Sequence, residues 1–438
     1  STSSGSNNGS SPSIVTKIGV DAENRLANLA ISDIASISFD EDVLVENIDL
    51  SNTSIDVEVV VATGKSVNVS GNISKSESNS LTFKGDGGLT VEQRNSVNCE
   101  SAMFSGVPGT GKTTVAIWRI LKNKDDILMT YTRLLAASIV HLSESSEKVY
   151  GVDQWYWHNC DKASLRKDIQ NNNVLNRLRE NNIQLGKIII DEGQDVDIEF
   201  YKAIKLVSKR VSVGADDAQK LYDVNIDKAS LSKVFPENNQ RELTRNFRNL
   251  FNIYNFARQF VPENPQTKDP NMLERLKSER PNGSVEIYVN DSQNEINKII
   301  KSIVLNQSGS NIGVLLSNTS DVDKYSEILK GFNIQHSVYH SKLYFKEKRK
   351  TEENLMNILV TTFHSAKGLE FDTVVMPSFE NASNDNRNQY YVGSTRAREF
   401  LFILCSSFPE ILEEFDKSTY TNISQESNEI VDDEHLPF

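Results

Sequence analysis

A glycine-rich segment is the first feature of this sequence that could carry out chemistry. Residues 106–113 read Gly-Val-Pro-Gly-Thr-Gly-Lys-Thr and match the pattern G-x-x-x-x-G-K-[ST]. Glycines let backbone N–H groups curve around phosphate oxygens, and a helix that begins there adds the positive end of its dipole. Lys112 is expected to reach the terminal phosphates, and the Thr113 hydroxyl is expected to ligate Mg²⁺. The segment therefore predicts a nucleoside triphosphate site.

Two neighbouring carboxylates supply the complementary chemistry. Asp191 and Glu192 directly follow the apolar run 187–190. At the carboxyl end of a strand, Asp191 is expected to hold the metal, directly or through water, and Glu192 to orient and deprotonate the attacking water. Acidic pairs after strands are common, so this pair gains its weight from the phosphate loop. Together the two segments predict hydrolysis of a nucleoside triphosphate.

The elements that position these groups are predicted from apolar runs after residue 89. Short runs alternate there with helical segments, for example 248–260 and 294–305, which is typical of parallel sheets with crossover helices. The pattern leaves open whether the two halves share one sheet or form two. Nine runs are predicted as buried strands: 103–105, 127–130, 187–190, 211–214, 285–289, 312–316, 358–361, 373–376 and 400–404.

The preceding part of the chain has a different pattern. A short helix is predicted at 21–31, whereas residues 34–83 largely alternate apolar and polar side chains, which is typical of strands. This part is interpreted as an acidic β-rich module with a structural or docking role. The domains predicted are a flexible linker at 1–13, the β-rich module at 14–86, two strand–helix domains at 87–241 and 242–408, and an acidic tail at 409–438.

Seven ordered motifs between about residues 89 and 404 resemble those of the superfamily 1 helicases of the UvrD/Rep type. The resemblance implies an α/β fold, with two RecA-like parallel-sheet P-loop NTPase domains preceded by the small β-rich module. The motifs are the Gln motif at 89–93, the phosphate loop, the D-E-x-Q-D box at 191–195, the G-D-x-x-Q-x-I-Y motif at 215–222, the L-x-x-N-Y-R motif at 243–248, the T-x-H-x-x-K-G-L-E-F box at 362–371 and the final arginine box at 391–397.

The resemblance also implies roles in an ATP site. Gln93 would read the adenine edge, Phe247 would stack on the base, and Gln219 would sense the γ-phosphate. Arg248 and Arg396 would contact the γ-phosphate, although either arginine alone could be a surface salt bridge. The catalytic residues expected are Lys112, Glu192, Gln219, Arg248 and Arg396. The ATP contacts expected are Gln93, Gly106, Gly109, Gly111, Lys112, Thr113, Thr114, Phe247, Arg248, Gly368, Glu370 and Arg396, with Mg²⁺ on Thr113 and Asp191.

Contacts with a single strand are expected from aromatic and polar residues of the same motifs. Tyr131, Thr132 and His364 resemble strand contacts of the family. Trp155 belongs to an aromatic cluster at 155–158, for which core packing is an equal alternative to base stacking. The basic segment 342–350 is either a solvated turn or a loop that contacts phosphates.

Two departures from the family pattern bear on function. Ala215 replaces the glycine that begins the third box, which is a mild change. The intervals 132–187 and 248–361 are too short for the large accessory domains of full-length UvrD-like helicases. The resemblance therefore implies a short form that hydrolyses ATP on a single strand rather than one that unwinds duplexes processively.

The net charge of −13 at first argues against a nucleic-acid partner, but it is unevenly distributed. Residues 1–88 carry −7 and residues 409–438 carry −8, so the segment 89–408 carries +2. No apolar run is long enough to span a membrane, and three scattered cysteines form no disulfide or metal pattern. A cytoplasmic location without a membrane partner is therefore expected.

The leading hypothesis is an ATP-dependent translocase or helicase on single-stranded DNA, for which the resemblance implies 3′→5′ travel. One alternative is a regulatory ATPase that switches a partner such as a nuclease, for instance in defence against phage. In either case the β-rich module or the acidic tail could contact a protein partner. The other alternative is a motor whose track is RNA.

Overall fold

The computed structural model describes residues 25–30, 36–39, 43–50, 57–61, 67–69, 73–75, 81–84, 89–122, 126–143, 148–216, 226–307 and 309–424. The chain forms two compact units, residues 1–98 and residues 99–438. Across these described ranges, no helix is both long and apolar enough to cross a membrane.

The first unit contains two parallel sheets, and the chain passes between them several times. β1, β5 and β6 pair with β3, while β2 and β7 pair with β4. Leu44 lies opposite Arg25 and Leu81 opposite Val57, so paired residues are 19 and 24 positions apart. This is the strand arrangement of a β-helix. The elements are β1 (Arg25–Ala30), β2 (Ser36–Phe39), β3 (Val43–Leu50), β4 (Val57–Val61), β5 (Val67–Val69), β6 (Ile73–Lys75), β7 (Leu81–Lys84) and α1 (Val91–Asn98).

The β-rich character predicted for this unit is confirmed, but the predicted helix at 21–31 is wrong. Residues 25–30 form β1, since the whole strand pairs with β3, where Val43 and Val45 are buried on one face. Pairing with a distant strand thus overrides the local helix signal. The predicted linker 1–13 lies outside the described residues, as do residues 21–24 and 31 of the predicted helix.

The second unit begins with a six-stranded parallel sheet in the order β10-β9-β11-β12-β8-β13. Helices connect its strands, as expected for crossovers between parallel strands. The elements are β8 (Ala102–Ser105), α2 (Lys112–Lys122), β9 (Ile127–Thr130), α3 (Arg133–Ser143), β10 (Val149–Gly151), α4 (Val152–Asn159), α5 (Leu165–Gln170), α6 (Val174–Glu180), β11 (Leu185–Asp191), α7 (Ile198–Val207), β12 (Ser208–Ala215), α8 (Lys228–Val234) and β13 (Asn239–Glu242).

A second parallel sheet follows in the same unit, with seven strands in the order β16-β17-β15-β18-β19-β14-β20. The two halves therefore form two sheets, and the expected α/β fold with two RecA-like domains is confirmed. The elements are α9 (Phe251–Ala257), α10 (Pro270–Glu279), β14 (Ser284–Val289), α11 (Gln293–Asn306), β15 (Ile312–Leu316), α12 (Thr319–Gly331), β16 (Ser337–Tyr339), α13 (Phe345–Glu353), β17 (Ile358–Thr362), β18 (Phe371–Met376), α14 (Arg387–Ser394), β19 (Ala397–Cys405) and β20 (Thr421–Ser424).

The helices lie on the sheets through one apolar face. In α7, for example, Phe200, Ile204 and Val207 are buried against the first sheet, and the Asp197 side chain caps the helix by accepting from the Glu199 backbone N–H at 2.8 Å. Because all strands of each sheet are parallel, their carboxyl ends meet at one edge. In the first sheet that edge carries the phosphate loop after β8 and Glu192 after β11.

Part of the segment predicted as an acidic tail is folded onto the second sheet. Ile411, Leu412 and Phe415 are buried, and β20 pairs with β14. The tail prediction is therefore wrong for residues 409–424, because spaced apolar side chains anchor a segment whose acidic groups face solvent. Residues 425–438 lie outside the described residues.

The sites where accessory domains would be inserted hold short elements in the described part of the chain. Only α4, α5 and α6 lie between β10 and β11, and only α13 lies between β16 and β17. The basic segment 342–350, interpreted as a turn or loop, is helical from Phe345 onward because α13 begins there.

Candidate functional site

The phosphate loop lies between β8 and α2, as its sequence predicts. Gly109 and Gly111 have φ values of +81° and +83°, which favour glycine. A Cβ on Gly109 would lie 2.5 Å from Asn246 Oδ1, so a side chain there would collide with a residue that precedes the second sheet. The Asn246 amide donates to the Pro108 carbonyl at 3.1 Å, and the Phe247 backbone N–H donates to the Gly109 carbonyl at 2.8 Å. Both domains therefore shape this loop.

Lys112 is held inside the loop at the start of α2. Its ammonium group donates to the carbonyls of Gly106 and Val107 at 2.6 and 3.1 Å, and it pairs with Asp216 at 3.2 Å. Lys112 and Asp216 are both buried. A buried cation beside the loop is suited to bind phosphate oxygens in exchange for these contacts.

The pair expected to hold Mg²⁺ is assembled. The Thr113 hydroxyl donates to Asp191 Oδ2 at 2.6 Å, and Asp191 Oδ1 is buried without a hydrogen-bond partner among the described residues. Burial, with the nearby charge of Glu192, raises the pKa of Asp191 to about 6. In the described part of the chain no three His, Cys, Asp or Glu side chains form a metal cage. Mg²⁺ often uses one or two carboxylates with substrate phosphates, so these residues fit it.

Glu192 lies in a buried network contributed by both domains. Gln194 donates to Glu192 Oε2 at 2.7 Å, and the ammonium group of Lys367, which belongs to the second domain, lies 3.9 Å from Glu192 and 2.5 Å from Asp195. Burial alone would raise the pKa of Glu192, but the charges of Lys367, Lys112 and Arg396 together lower it. Glu192 therefore stays ionised, as a general base requires.

Both predicted arginine fingers are buried near this network. Arg248 pairs with Glu370 at 2.6 Å, and the Nε of Arg396 donates to the Val392 carbonyl at 3.1 Å. Burial, with the neighbouring charge of Arg248, lowers the pKa of Arg396 to about 10. Arg396 also contributes to the field at Glu192. A surface salt bridge is therefore the wrong interpretation of Arg396, which is fully buried.

The other residues that are predicted to contact ATP differ in their location and exposure. Phe247 is half-buried next to the phosphate loop, and Thr114 is exposed on α2. Gly368 has a φ of +83°, and a Cβ there would lie 2.4 Å from Leu135 of α3, so it allows the two domains to approach closely. Gln93 lies on α1 in the first unit, where its Oε1 accepts from the Thr90 backbone N–H at 3.0 Å. Its contact with adenine stays a prediction.

One predicted catalytic residue, Gln219, lies outside the described residues, which stop at 216 and resume at 226. Its role as a γ-phosphate sensor therefore also stays a prediction. At the start of the same motif, Ala215 ends β12 and Asp216 follows it into the site, where the Asp216 backbone N–H donates to Gln194 Oε1 at 3.0 Å.

The predicted strand contacts divide into two groups. Tyr131 and Thr132 follow β9, and His364 follows β17; all three are partly exposed. Trp155 is 2% exposed and packs in the core of the first sheet, so the prediction that it stacks on a base is wrong. Trp157, two residues later on α4, is the exposed member of that aromatic cluster at 40%.

Sequence reasoning missed three residues that the structure places in the site. Lys367, Asp195 and Asp216 lie in motifs that the sequence identifies, yet their contacts join segments more than 100 residues apart. Their positions within these motifs are a signal from which they could have been predicted as site residues. Only the folded arrangement shows that Lys367 crosses to the first domain.

Comparisons with known proteins show similarity to helicase sequences over part of the chain. A family model described as UvrD-like helicase C-terminal domain matches residues 357–404. The RecBCD enzyme subunit RecB of Chlamydia muridarum (strain MoPn / Nigg) is 38% identical over 87 residues. That match covers 18% of this chain and 8% of RecB, so the chain spans only a small part of that relative.

Two solved structures are similar to this chain, and the first of them supports the fold. S. cerevisiae Dbp5 bound to RNA and ADP BeF3 has a TM-score of 0.50 and 13% identity, and the match covers 77% of this chain and 90% of that one. The C-terminal domain of a possible DNA helicase from Lactobacillus plantarum WCFS1 has a TM-score of 0.31 and 18% identity, over 40% of this chain and 98% of that one.

The family match and RecB are both named as helicase-type proteins, and each is similar to a limited part of this chain. The resemblance to the superfamily 1 helicases of the UvrD/Rep type is thereby confirmed.

Proposed function

We propose that this chain is an ATP-dependent translocase or helicase that travels 3′→5′ on single-stranded DNA. The observation that carries the proposal is the composite site: Glu192 of the first domain lies in the field of Lys367 and Arg396 of the second. Since each domain supplies part of the charge around the reacting phosphate, hydrolysis requires the two domains to be close together.

The residues divide the chemistry between them. The loop N–H groups and Lys112 bind the phosphates of ATP, while Glu192 orients the attacking water and accepts its proton. Arg248 and Arg396 stabilise the charge that develops on the transferred phosphoryl group. Mg²⁺, held by Thr113 and Asp191, would neutralise charge on the phosphate oxygens.

Movement along a strand follows from the placement of the strand contacts. Tyr131 and Thr132 belong to the first domain and His364 to the second. When ATP draws the domains together and hydrolysis releases them, the distance between these contacts changes, and the strand is advanced. DNA as track and the 3′→5′ direction rest on the family resemblance.

Displacement of streptavidin from biotinylated oligonucleotides tests track and direction together. We expect ATP to drive release of streptavidin from the 5′ end of oligothymidine. We expect ATP not to speed its release from the 3′ end, and not to release it from oligouridine. Arg248→Ala should abolish release, whereas Arg245→Ala, which removes a neighbouring Arg245–Glu279 pair at 3.0 Å, should retain it. Release from the 3′ end, or from oligouridine alone, would contradict the direction or the track.

The regulatory alternative makes a different prediction in the same assay. Strand-stimulated ATP hydrolysis without release from either end would mean that the ATPase senses a strand and does not travel along it. That outcome would favour a switch acting on a partner protein.

A further inference from the structure

One asparagine, Asn249, joins the two segments that carry the arginine fingers. It directly follows Arg248, and its side chain is fully buried. Its amide nitrogen donates to the carbonyls of Thr395 and Ala397, at 3.1 and 2.6 Å. These carbonyls belong to the residues on either side of Arg396. Asn249 therefore holds the backbone of one finger from a position next to the other.

The same side chain is linked to the phosphate loop of the first domain through Asn246. Asn249 Oδ1 accepts from the Asn246 amide nitrogen at 3.1 Å, and that nitrogen also donates to the Pro108 carbonyl at 3.1 Å. Asn246 Oδ1 accepts from the backbone N–H groups of Arg248 and Asn249, at 2.9 and 3.1 Å. A continuous chain of hydrogen bonds thus runs from the loop, through both asparagines, to the residues that flank Arg396.

The contacts of Asn249 require a short primary amide. An amide supplies two N–H donors on its nitrogen and an acceptor on its oxygen. Aspartate would have the same shape but would present oxygen to two carbonyl oxygens, and serine would supply a single donor. The orientation of the amides is determined by their partners, because Asn246 Oδ1 accepts two backbone N–H groups and its nitrogen must then face Pro108 and Asn249.

The second finger, Arg396, needs to be held in place. Burial, followed by the like charge of Arg248, lowers the pKa of Arg396 to about 10, so the two guanidinium groups repel each other. The guanidinium of Arg396 donates to the carbonyls of Val392 and Leu369, which lie in its own domain. The asparagine chain adds a link from the backbone around Arg396 to the first domain. A displacement of about 1 Å in a reacting geometry can cost about 10²-fold in rate, so such a link bears on catalysis.

We infer that Asn249 is a positioning residue for ATP hydrolysis, which holds Arg396 in place relative to the phosphate loop. It acts through the backbone on either side of Arg396 and not on the phosphate itself. The inference rests on the proposed function, because it takes Arg396 as a finger of the hydrolytic site. It adds to that site a residue that lies outside the seven motifs.

ATP turnover by the full chain, with and without oligothymidine, tests the inference through Asn249→Ala. We expect kcat to fall about 10- to 100-fold because Arg396 loses its support. The KM for ATP should change by less than about threefold, because Lys112 and the loop N–H groups are unaltered. Asn249→Ser keeps one donor and should give an intermediate kcat. Asn252→Ala is the matched control: this exposed asparagine of α9 donates to the Gly283 carbonyl at 2.9 Å, and its loss should leave kcat unchanged.

A double variant separates positioning from a purely structural role. If Asn249 acts through Arg396, adding Asn249→Ala to Arg396→Ala should lower kcat by less than about twofold further. A loss by the same factor in both backgrounds would overturn the inference, since Asn249 would then only stabilise the fold. An effect on KM alone would overturn it as well. Turnover is measured well below the melting temperature of each variant, and if Asn249→Ala does not fold, Asn249→Ser takes its place in the comparison.

The inference and the proposed function fail in different ways. If oligothymidine stimulates turnover and the two losses multiply, the role of Asn249 is overturned and the proposed function stands. If oligothymidine does not stimulate turnover, the motor is contradicted, while basal turnover of the same variants still decides the role of Asn249. A chain that hydrolyses no ATP would overturn both.

Discussion

Replacing Lys367 with methionine tests whether the two domains are coupled through one buried ammonium group. Lys367 is 1% exposed and lies 2.5 Å from Asp195 and 3.9 Å from Glu192. Methionine keeps the length and apolar stem of lysine but removes its charge. The change therefore leaves two carboxylates of the first domain close together and buried, without the ammonium group of Lys367.

The size of the effect follows from these distances. At an effective dielectric constant of about 20, two unit charges 3.9 Å apart interact by about 4 kcal/mol. Removing one partner of a buried ion pair typically costs about 3–5 kcal/mol. We expect a large part of this interaction energy to appear as a loss of kcat/KM in Lys367→Met, because the closed arrangement of the domains is the one that hydrolyses ATP. Each 1.4 kcal/mol corresponds to about a tenfold loss.

The double variant Lys367→Met/Asp195→Asn supplies the decisive comparison. It removes Asp195, the nearer of the two carboxylates that lose the Lys367 ammonium group, so it should recover at least about tenfold in kcat/KM relative to Lys367→Met. Strand-stimulated ATPase is measured for the unaltered chain, both single variants and the double variant, with nucleotide affinity as a check on folding. Lys330→Met, which removes an exposed Lys330–Glu327 pair, is the matched control and should be silent. Strictly additive losses would refute the coupling.

Three further changes have distinct expected results. Lys112→Ala should abolish ATP hydrolysis while strand binding persists, and residual turnover would contradict the assignment of the phosphate loop. Arg396→Ala should lower kcat about 10³-fold or more with ATP affinity nearly unchanged, and a change in KM alone would argue against a finger. Gly368→Ala should destabilise the chain by at least about 1 kcal/mol in thermal melts, because its φ is +83° and a Cβ would meet Leu135 at 2.4 Å. Gly331→Ala is its control, since the added Cβ would meet nothing within 4 Å beyond its chain neighbours and the nearby backbone of α12, and equal melting of the two would contradict the reasoning.

The strands that sequence reasoning found and missed differ in their position in the sheets. All nine predicted strands are inner strands of the two sheets in the second unit, whereas the four missed strands are the outer ones of those sheets: β10, β13, β16 and β20. An inner strand is covered on both faces and appears as a continuous apolar run. Outer strands are short or polar, as β13 (Asn239–Glu242) shows, and only their backbone pairing reveals them.

The nucleotide site was largely predictable because its residues belong to ordered motifs with fixed spacing. The motifs did not predict which side chains within them are buried. Trp155 and Trp157 are two positions apart in one aromatic cluster, yet Trp155 faces the core of the first sheet and Trp157 faces solvent. The β-helix of the first unit was likewise missed, because alternation indicates strands without stating which strands pair.

The most direct test of the central claim is ATP turnover by the full chain with single-stranded DNA, duplex DNA and single-stranded RNA, compared with turnover by the chain alone. A strand-dependent motor with its catalytic charges divided between two domains should turn over at least about tenfold faster with single-stranded DNA than alone, and little faster with duplex. Equal turnover in all four conditions would contradict the claim that the chain is a strand-dependent motor.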